Sequence, residues 1–282
     1  MNFIKNLYEK QYKKLLLIPI LLLLFALIQI GIQTARTGDF IHKGVSLKGG
    51  LSIAIEKSTD VRELENYLRE KFPSADINVR GLSKTGVQVG TIVEASDVDG
   101  ELLIKELTDK LNLNEEQYSV EVMGSSLGES FFKETIRAMI IAFIFMGIVV
   151  FLYFRNFIPS IAVILAAFSD IVVTLAIVNI IGLKLSTAGI AAFLMLIGYS
   201  VDTDILLTTR VLKRREGSVM ERIYNAMKTG LTMNITTMAA IIIALILAQS
   251  EVIKQIMIIL LIGLVVDMIN TWIQNTGILR LY

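Results

Sequence analysis

The sequence predicts a membrane α-helical protein, six transmembrane helices with one α+β domain inserted after the first, and three observations predict it. Of 282 residues 54% are hydrophobic, and the mean hydropathy is +0.65, too apolar for an ordinary soluble domain. Six apolar runs are long enough to cross a bilayer, for which about 20 residues suffice. Residues 34–134, between the first run and the second, have the composition of a soluble domain.

The first run, Leu15–Ile32, is interrupted only by Pro19 and Gln29 and follows a basic segment with Lys5, Lys10, Lys13 and Lys14. No small-residue cleavage pattern follows it, so it reads as a retained helix entering from the cytoplasm rather than a signal peptide. Within the polar stretch, Val45–Glu56 is strand-like around Gly49-Gly50, Asp60 can cap a helix over Val61–Phe72 that Pro73 stops, and Ile77–Arg80 and Gly86–Val93 alternate as strands. A second helix fits Gly100–Leu111, and Tyr118–Met123 alternates again. The order β-α-β-β-α-β is that of a ferredoxin-like split unit. Nothing in it looks catalytic.

Five further runs follow, at about Ile136–Tyr153, Ile158–Ile181, Leu185–Leu207, Thr229–Ala248 and Ile253–Ile278. Arg155 occupies one turn and Arg210, Lys213, Arg214, Arg215 and Arg222 crowd another, whereas the opposite turns hold only Lys184 and Lys254. Positive charge stays on the cytoplasmic side. Both termini are therefore expected in the cytoplasm, residues 34–134 outside, and the chain as a multi-pass protein of the cell membrane.

A net charge of +1 gives no global basic field for nucleic acid, and the absence of cysteine excludes disulfides and thiolate chemistry. The single histidine, His42, falls in a polar loop and reads as a solvated residue. No metal site and no cofactor are expected.

Small and polar residues recur every fourth position in the later runs: Ala162, Ala166, Asp170 and Thr174; Ala188, Ala192, Ser200, Asp204 and Thr208, with Leu196 the exception; Lys228, Thr232, Thr236, Ala240, Ala244 and Ala248; Gly263, Asp267, Thr271 and Asn275. Residues four apart share a helix face, and small ones let helices approach closely. Three acids facing lipid at the bilayer centre would together cost roughly 8–10 kcal/mol, so Asp170, Asp204 and Asp267 are expected to meet inside the bundle or a wet cavity. Asp202 and Asp204 point about 200° apart on a regular helix. Asp204, on the small and polar row, is the inward candidate.

Four blocks resemble the SecD/SecF family in its SecF branch, over nearly the whole chain: Leu47-Lys48-Gly49-Gly50, Met123-Gly124-Ser125-Ser126-Leu127-Gly128, Ser169-Asp170-Ile171-Val172-Val173-Thr174-Leu175, and Ile197–Arg210 with its Gly198-Tyr199-Ser200 signature. That family belongs to the resistance-nodulation-division superfamily and has six helices and one large external domain. The resemblance implies an auxiliary subunit of the Sec export machinery. It would act with SecD beside the Sec translocation channel on secreted preprotein chains, late and on the outer side, using the proton gradient. Asp170 matches the acid of the third-helix motif, and Arg210 the Arg of the fourth. Asp202 stands where the family usually has Asn, Thr203 where it often has an acid, Thr209 where many bacterial members have one, and Ser169 replaces a common His. Thr229 takes the place of a frequent Arg, with Lys228 adjacent. The chain thus resembles a divergent, archaeal-type member. The proton-coupling candidates are Asp204, Asp170, Asp202 and Asp267, with Lys228 as counter-charge and Arg210 beside them. A platform that assists export without ion coupling is the alternative. An intramembrane aspartyl protease would need a Gly-x-Gly-Asp arrangement, which Gly198-Tyr199-Ser200-Val201-Asp202 lacks, so no enzymatic activity is expected.

Overall fold

The computed structural model describes residues 8, 11–84, 87–213, 217–248 and 250–282. Lys5, Lys10, Gly86, Arg214 and Arg215 lie outside them. Six helices have the length and apolarity to cross a membrane. They are α1 (Tyr12–Thr37), α5 (Ser125–Phe154), α6 (Phe157–Ile180), α7 (Thr187–Lys213), α8 (Val219–Leu247) and a last span that starts as α9 (Glu251–Ile269). This last span passes through a π-helical segment, Asn270–Asn275, and ends as α10 (Thr276–Leu281). The protein is a multi-pass membrane protein.

Between α1 and α5 lie a short helix α2 (Val45–Lys48), then β1 (Gly50–Ile55), α3 (Val61–Lys71), β2 (Asp76–Lys84), β3 (Val87–Ser96), α4 (Gly100–Leu111) and β4 (Tyr118–Met123). The four strands form one antiparallel sheet in the order β2-β3-β1-β4, the ferredoxin-like arrangement. Strand alternation sends Leu51, Ile53 and Ile55 of β1 inward, where they join Ile77, Val79, Val93 and Ala95 against Leu64 and Leu68 of α3 and Leu103 and Leu107 of α4. Each such Leu or Ile contributes about 1.5–3 kcal/mol by leaving water. Asp60 and Asp99 begin the two helices by accepting hydrogen bonds from the second and third backbone N–H groups, a cap worth about 1 kcal/mol.

Several boundaries differ from the sequence reading. Val45–Lys48 is helical, not extended, and Gly49 and Gly50, with φ of +88° and +134°, turn the chain from it into β1, whose first residue is Gly50. Helix α5 begins at Ser125, about three turns before its apolar run. Ser218 and Glu221 cap α8 reciprocally, so that helix also starts in polar sequence. These polar first turns are helical by capping and connection, which an apolar window cannot register.

In the bundle α6 and α7 are the most enclosed helices, while α1, α5 and α8 turn most of their surface outward. The rows read from the sequence divide accordingly. Ala162, Ala166, Asp170 and Thr174 of α6 are buried, as are Ala192, Ser200, Asp204 and Thr208 of α7 and Gly263, Asp267, Thr271 and Asn275 of the last span. The α8 row is the exception: Lys228, Thr232, Thr236 and Ala240 are exposed, and Gly230 and Asn234 face inward instead. Thr232 and Thr236 donate to carbonyls one turn back on their own helix, so their polarity needs no neighbouring helix.

The domain is fastened to one end of the bundle. Gly44 N donates to Leu185 O at 2.8 Å and Leu185 N to His42 O at 2.7 Å. Asn179 of α6 donates to Phe40 O at 2.9 Å, and Lys184 reaches Asp76 of β2 at 2.8 Å. Partial burial opposes the Asp76 charge, but the Lys184 hydrogen bond and charge, with Lys48 and Arg69, outweigh it and hold the carboxyl below the usual range. Gln255 of α9 closes the junction, donating to Lys184 O at 2.6 Å while its Oε1 accepts from both the backbone N–H and the hydroxyl of Ser186. His42 is half-buried here and bonded to Gln33 at 3.0 Å, not a free loop residue, because the chain leaving α1 folds back onto the α6–α7 turn.

Candidate functional site

Three carboxylates meet in the middle of the bundle. Asp170 of α6, Asp204 of α7 and Asp267 of α9 are fully buried, and one oxygen from each lies within 4.8 Å of the other two. Small residues around them let the helices close on the acids. At Gly263, four residues before Asp267, an added Cβ would stand 2.5 Å from the Leu196 side chain of α7.

Hydroxyls and amides supply every hydrogen bond that the described residues give these acids. Asp170 accepts from Ser200 and, at 2.7 Å, from Asn270. Asp204 accepts from Asn275 at 2.7 Å. Asp267 accepts from Asn234 of α8 at 2.9 Å, Thr271 at 3.0 Å, and Thr203 at 3.2 Å. The π-helical segment explains how one short stretch serves two acids. With about five residues between successive hydrogen-bonded levels, Asn270 and Asn275 both face the cluster, and Thr276 bonds back to Thr271 O at 3.2 Å.

Two charges about 4–5 Å apart repel by about 3–4 kcal/mol at an effective dielectric of 20. With neutral donors around them, three simultaneous charges would be opposed by several such terms. Taking up and releasing protons is the chemistry this arrangement offers. Asp204 Oδ2, Thr174 Oγ1, Asn270 Oδ1 and Asn275 Oδ1 are buried oxygens without a partner among the described residues, which leaves acceptor capacity for added protons. The oxygens have cation-ligand spacing, but the three asparagines turn their NH2 groups toward the acids, a shell suited to carboxylates rather than to a metal.

Of the candidates read from the sequence, Asp170, Asp204 and Asp267 are brought together, with Ser200 on Asp170. Asp202 is exposed on the opposite side of α7. Lys228 does not stand opposite the acids: it is exposed on α8, and the residue of that helix that reaches in is Asn234. Arg210 is half-buried and donates to Asn225 O at 2.8 Å, tying α7 to α8. Gly198 and Tyr199 are exposed, and Gly49 and Gly50 belong to the domain junction. Sequence reasoning missed Asn234 and Asn270, whose signal was only an amide inside an apolar run off the four-residue rows.

The model of the family "Protein export membrane protein SecD/SecF, C-terminal" matches residues 103–282. The chain belongs to this family. Among proteins named protein-export membrane protein SecF, that of Pyrococcus furiosus is 40% identical over 280 residues, covering 99% of this chain and 94% of its own length. That of Methanocaldococcus jannaschii is 40% identical over 286 residues, covering 97% and 96%. Both of these relatives are archaeal. The crystal structure of SecDF, a translocon-associated membrane protein from Thermus thermophilus, superimposes over 100% of this chain with a TM-score of 0.72 at 19% identity, a likeness of fold. This chain spans 38% of the length of that one.

Proposed function

We propose that this protein is an auxiliary subunit of the Sec export machinery that acts with SecD in the cell membrane on late, outer-side steps of preprotein movement. The proton gradient drives it through Asp170, Asp204 and Asp267. The observation that carries the ion-coupled reading is the meeting of three buried acids from three helices with neutral donors only. In a platform without coupling, the acids would serve to neutralise cations across helices, and no such ion pair occurs among the described residues.

Energy and geometry are adequate. One charge crossing 100 mV is worth about 2.3 kcal/mol, within the usual range of coupling between sites, about 1–3 kcal/mol. Helix α9 carries Asp267 in the cluster and Gln255 at the domain junction, about 18 Å apart at 1.5 Å rise per residue. A proton that repacks α9 against α6 and α7 therefore moves the domain that handles the emerging chain. The arginines and lysines at the end of the bundle opposite the domain support cytoplasmic termini and an external domain. The action is binding and movement rather than catalysis, since a peptide would need access to acids that are fully enclosed.

Purification in gentle detergent tests the assignment of partner. SecD is expected to be recovered with this chain in a fixed ratio; a lone monomer, or a stable homo-oligomer free of SecD, would contradict the reading.

A further inference from the structure

Helices α5 and α6 leave a short turn at the end of the bundle opposite the domain, and between their outer faces lies a groove of about 460 Å³. Phe143, Gly147 and Phe151 of α5 and Phe157, Ser160 and Ile164 of α6 are among the residues that line it. Its wall is hydrocarbon, since the Ser160 hydroxyl donates to Asn156 O at 2.7 Å within its own helix. Gly147 sets the depth: a Cβ added there would already stand 3.4 Å from Ile164 Cδ1. Toward the turn, Phe151 and Phe157 meet edge to face with ring centroids 5.7 Å apart. Along α5 the lined stretch from Phe143 to Leu152 is about 14 Å long at 1.5 Å per residue. That is close to one leaflet, half of a hydrocarbon core of about 30 Å.

Cations stand at the mouth of the groove, and among the described residues no acid neutralises them. Arg155 forms the turn, is exposed, and holds φ +53° and ψ 23°, a left-handed helix end that glycine or asparagine usually fills. A turn alone does not call for arginine there. Lys213, at the end of α7, is exposed but lies over the Tyr153 ring with Nζ 3.7 Å from its centroid, which holds it close to Arg155. We infer that the groove and its mouth are a binding site for an anionic membrane lipid, with one chain between α5 and α6 and the phosphate on Arg155 and Lys213. Arginine presents a planar fork to phosphate oxygens and lysine a point charge. Charge and length together argue for this occupant: the cations lie at headgroup level, and the apolar wall below them is one leaflet long. Free phosphate would leave that wall unused. A bound lipid would fasten the end of α7, nine residues beyond Asp204, to the α5–α6 turn. The site is independent of the partnership with SecD.

The test places the full chain, purified with whatever partner it retains, in phosphatidylcholine nanodiscs carrying a trace of phosphatidylglycerol or phosphatidylcholine with a light-activated diazirine in the tail. Illumination and peptide mass spectrometry then read where the tails lie. Each basic side chain near the surface favours an anionic lipid roughly fivefold. The phosphatidylglycerol probe is therefore expected to label the groove peptides at least about fivefold more than the phosphatidylcholine probe, while both label α1 around the exposed Leu21 equally. Arg155→Asn combined with Lys213→Gln is expected to abolish the preference, and because asparagine accepts the left-handed turn this variant keeps the fold. Gly147→Leu is expected to reduce groove labelling by both probes, and millimolar inorganic phosphate to change nothing. Equal groove labelling by the two probes, an undiminished preference in the charge-removed variant, displacement by inorganic phosphate, or a groove left unlabelled beneath a partner helix would each overturn the proposal.

Discussion

Asp267→Leu is expected to prevent accumulation of the folded protein, whereas Asp267→Asn folds and inserts but loses the gradient-dependent part of export. Asp267 joins three helices, accepting from Thr203 of α7, Asn234 of α8 and Thr271 of its own span while facing Asp170 and Asp204. Leucine leaves the Asn234 and Thr271 donors buried without an acceptor, at about 1–3 kcal/mol each, and Thr203 keeps only the Ser200 carbonyl. The sum, about 2–6 kcal/mol, is in the range that removes marginally stable proteins. Asparagine keeps the shape and one acceptor oxygen but cannot exchange a proton. Thermal melting and membrane yield separate the two variants. Equal yields for Leu and wild type would contradict the central place given to Asp267.

Gly49→Val is expected to be as damaging, for a backbone reason. Gly49 has φ +88° and ψ 163°, a region essentially reserved for glycine that costs other residues about 1–3 kcal/mol. A Cβ there would lie 2.4 Å from Ser125 Cα, at the first turn of α5, where only main-chain movement makes room. Gly50 is closed similarly, with a Cβ 2.3 Å from Ala95 O of β3. Valine at Gly49 should therefore detach the domain from α5, read as protease cleavage near residues 40–50 and 124–128 and a fall in melting temperature. Gly31→Ala is the control: nothing lies within 4 Å of its Cβ, and in a helix the change should be neutral or gain about 0.5–1 kcal/mol. Similar melting for both variants would refute this account of the glycine pair.

The sequence showed much of this because the bilayer is a harsh solvent. Apolar length revealed the six spans, and the cost of a lipid-facing acid placed Asp170, Asp204 and Asp267 together. Strand alternation and the Asp60 cap revealed the domain. Hidden were features set by relations between helices. The four-residue row on α8 has the same spacing as those on α6 and α7, yet it faces outward, because Thr232 and Thr236 satisfy themselves on their own helix and Gly230 is needed inside beneath Trp272. The π-helical turn that aims Asn270 and Asn275 at two different acids has no pattern in a single sequence. Nor does the Gln255 contact with Lys184 and Ser186, which depends on two turns about 70 residues apart in the chain.

The most direct measurement is export of a secreted protein by reconstituted vesicles containing the Sec channel, SecD and either this chain or its Asp267→Asn variant, with the proton gradient imposed and then collapsed by a protonophore. The account predicts that the gradient accelerates the late phase several-fold with the wild-type chain, that the protonophore abolishes the gain, and that Asp267→Asn exports at the collapsed rate in both conditions. Equal rates with and without the gradient for the wild-type chain, or a full gradient response from Asp267→Asn, would contradict it.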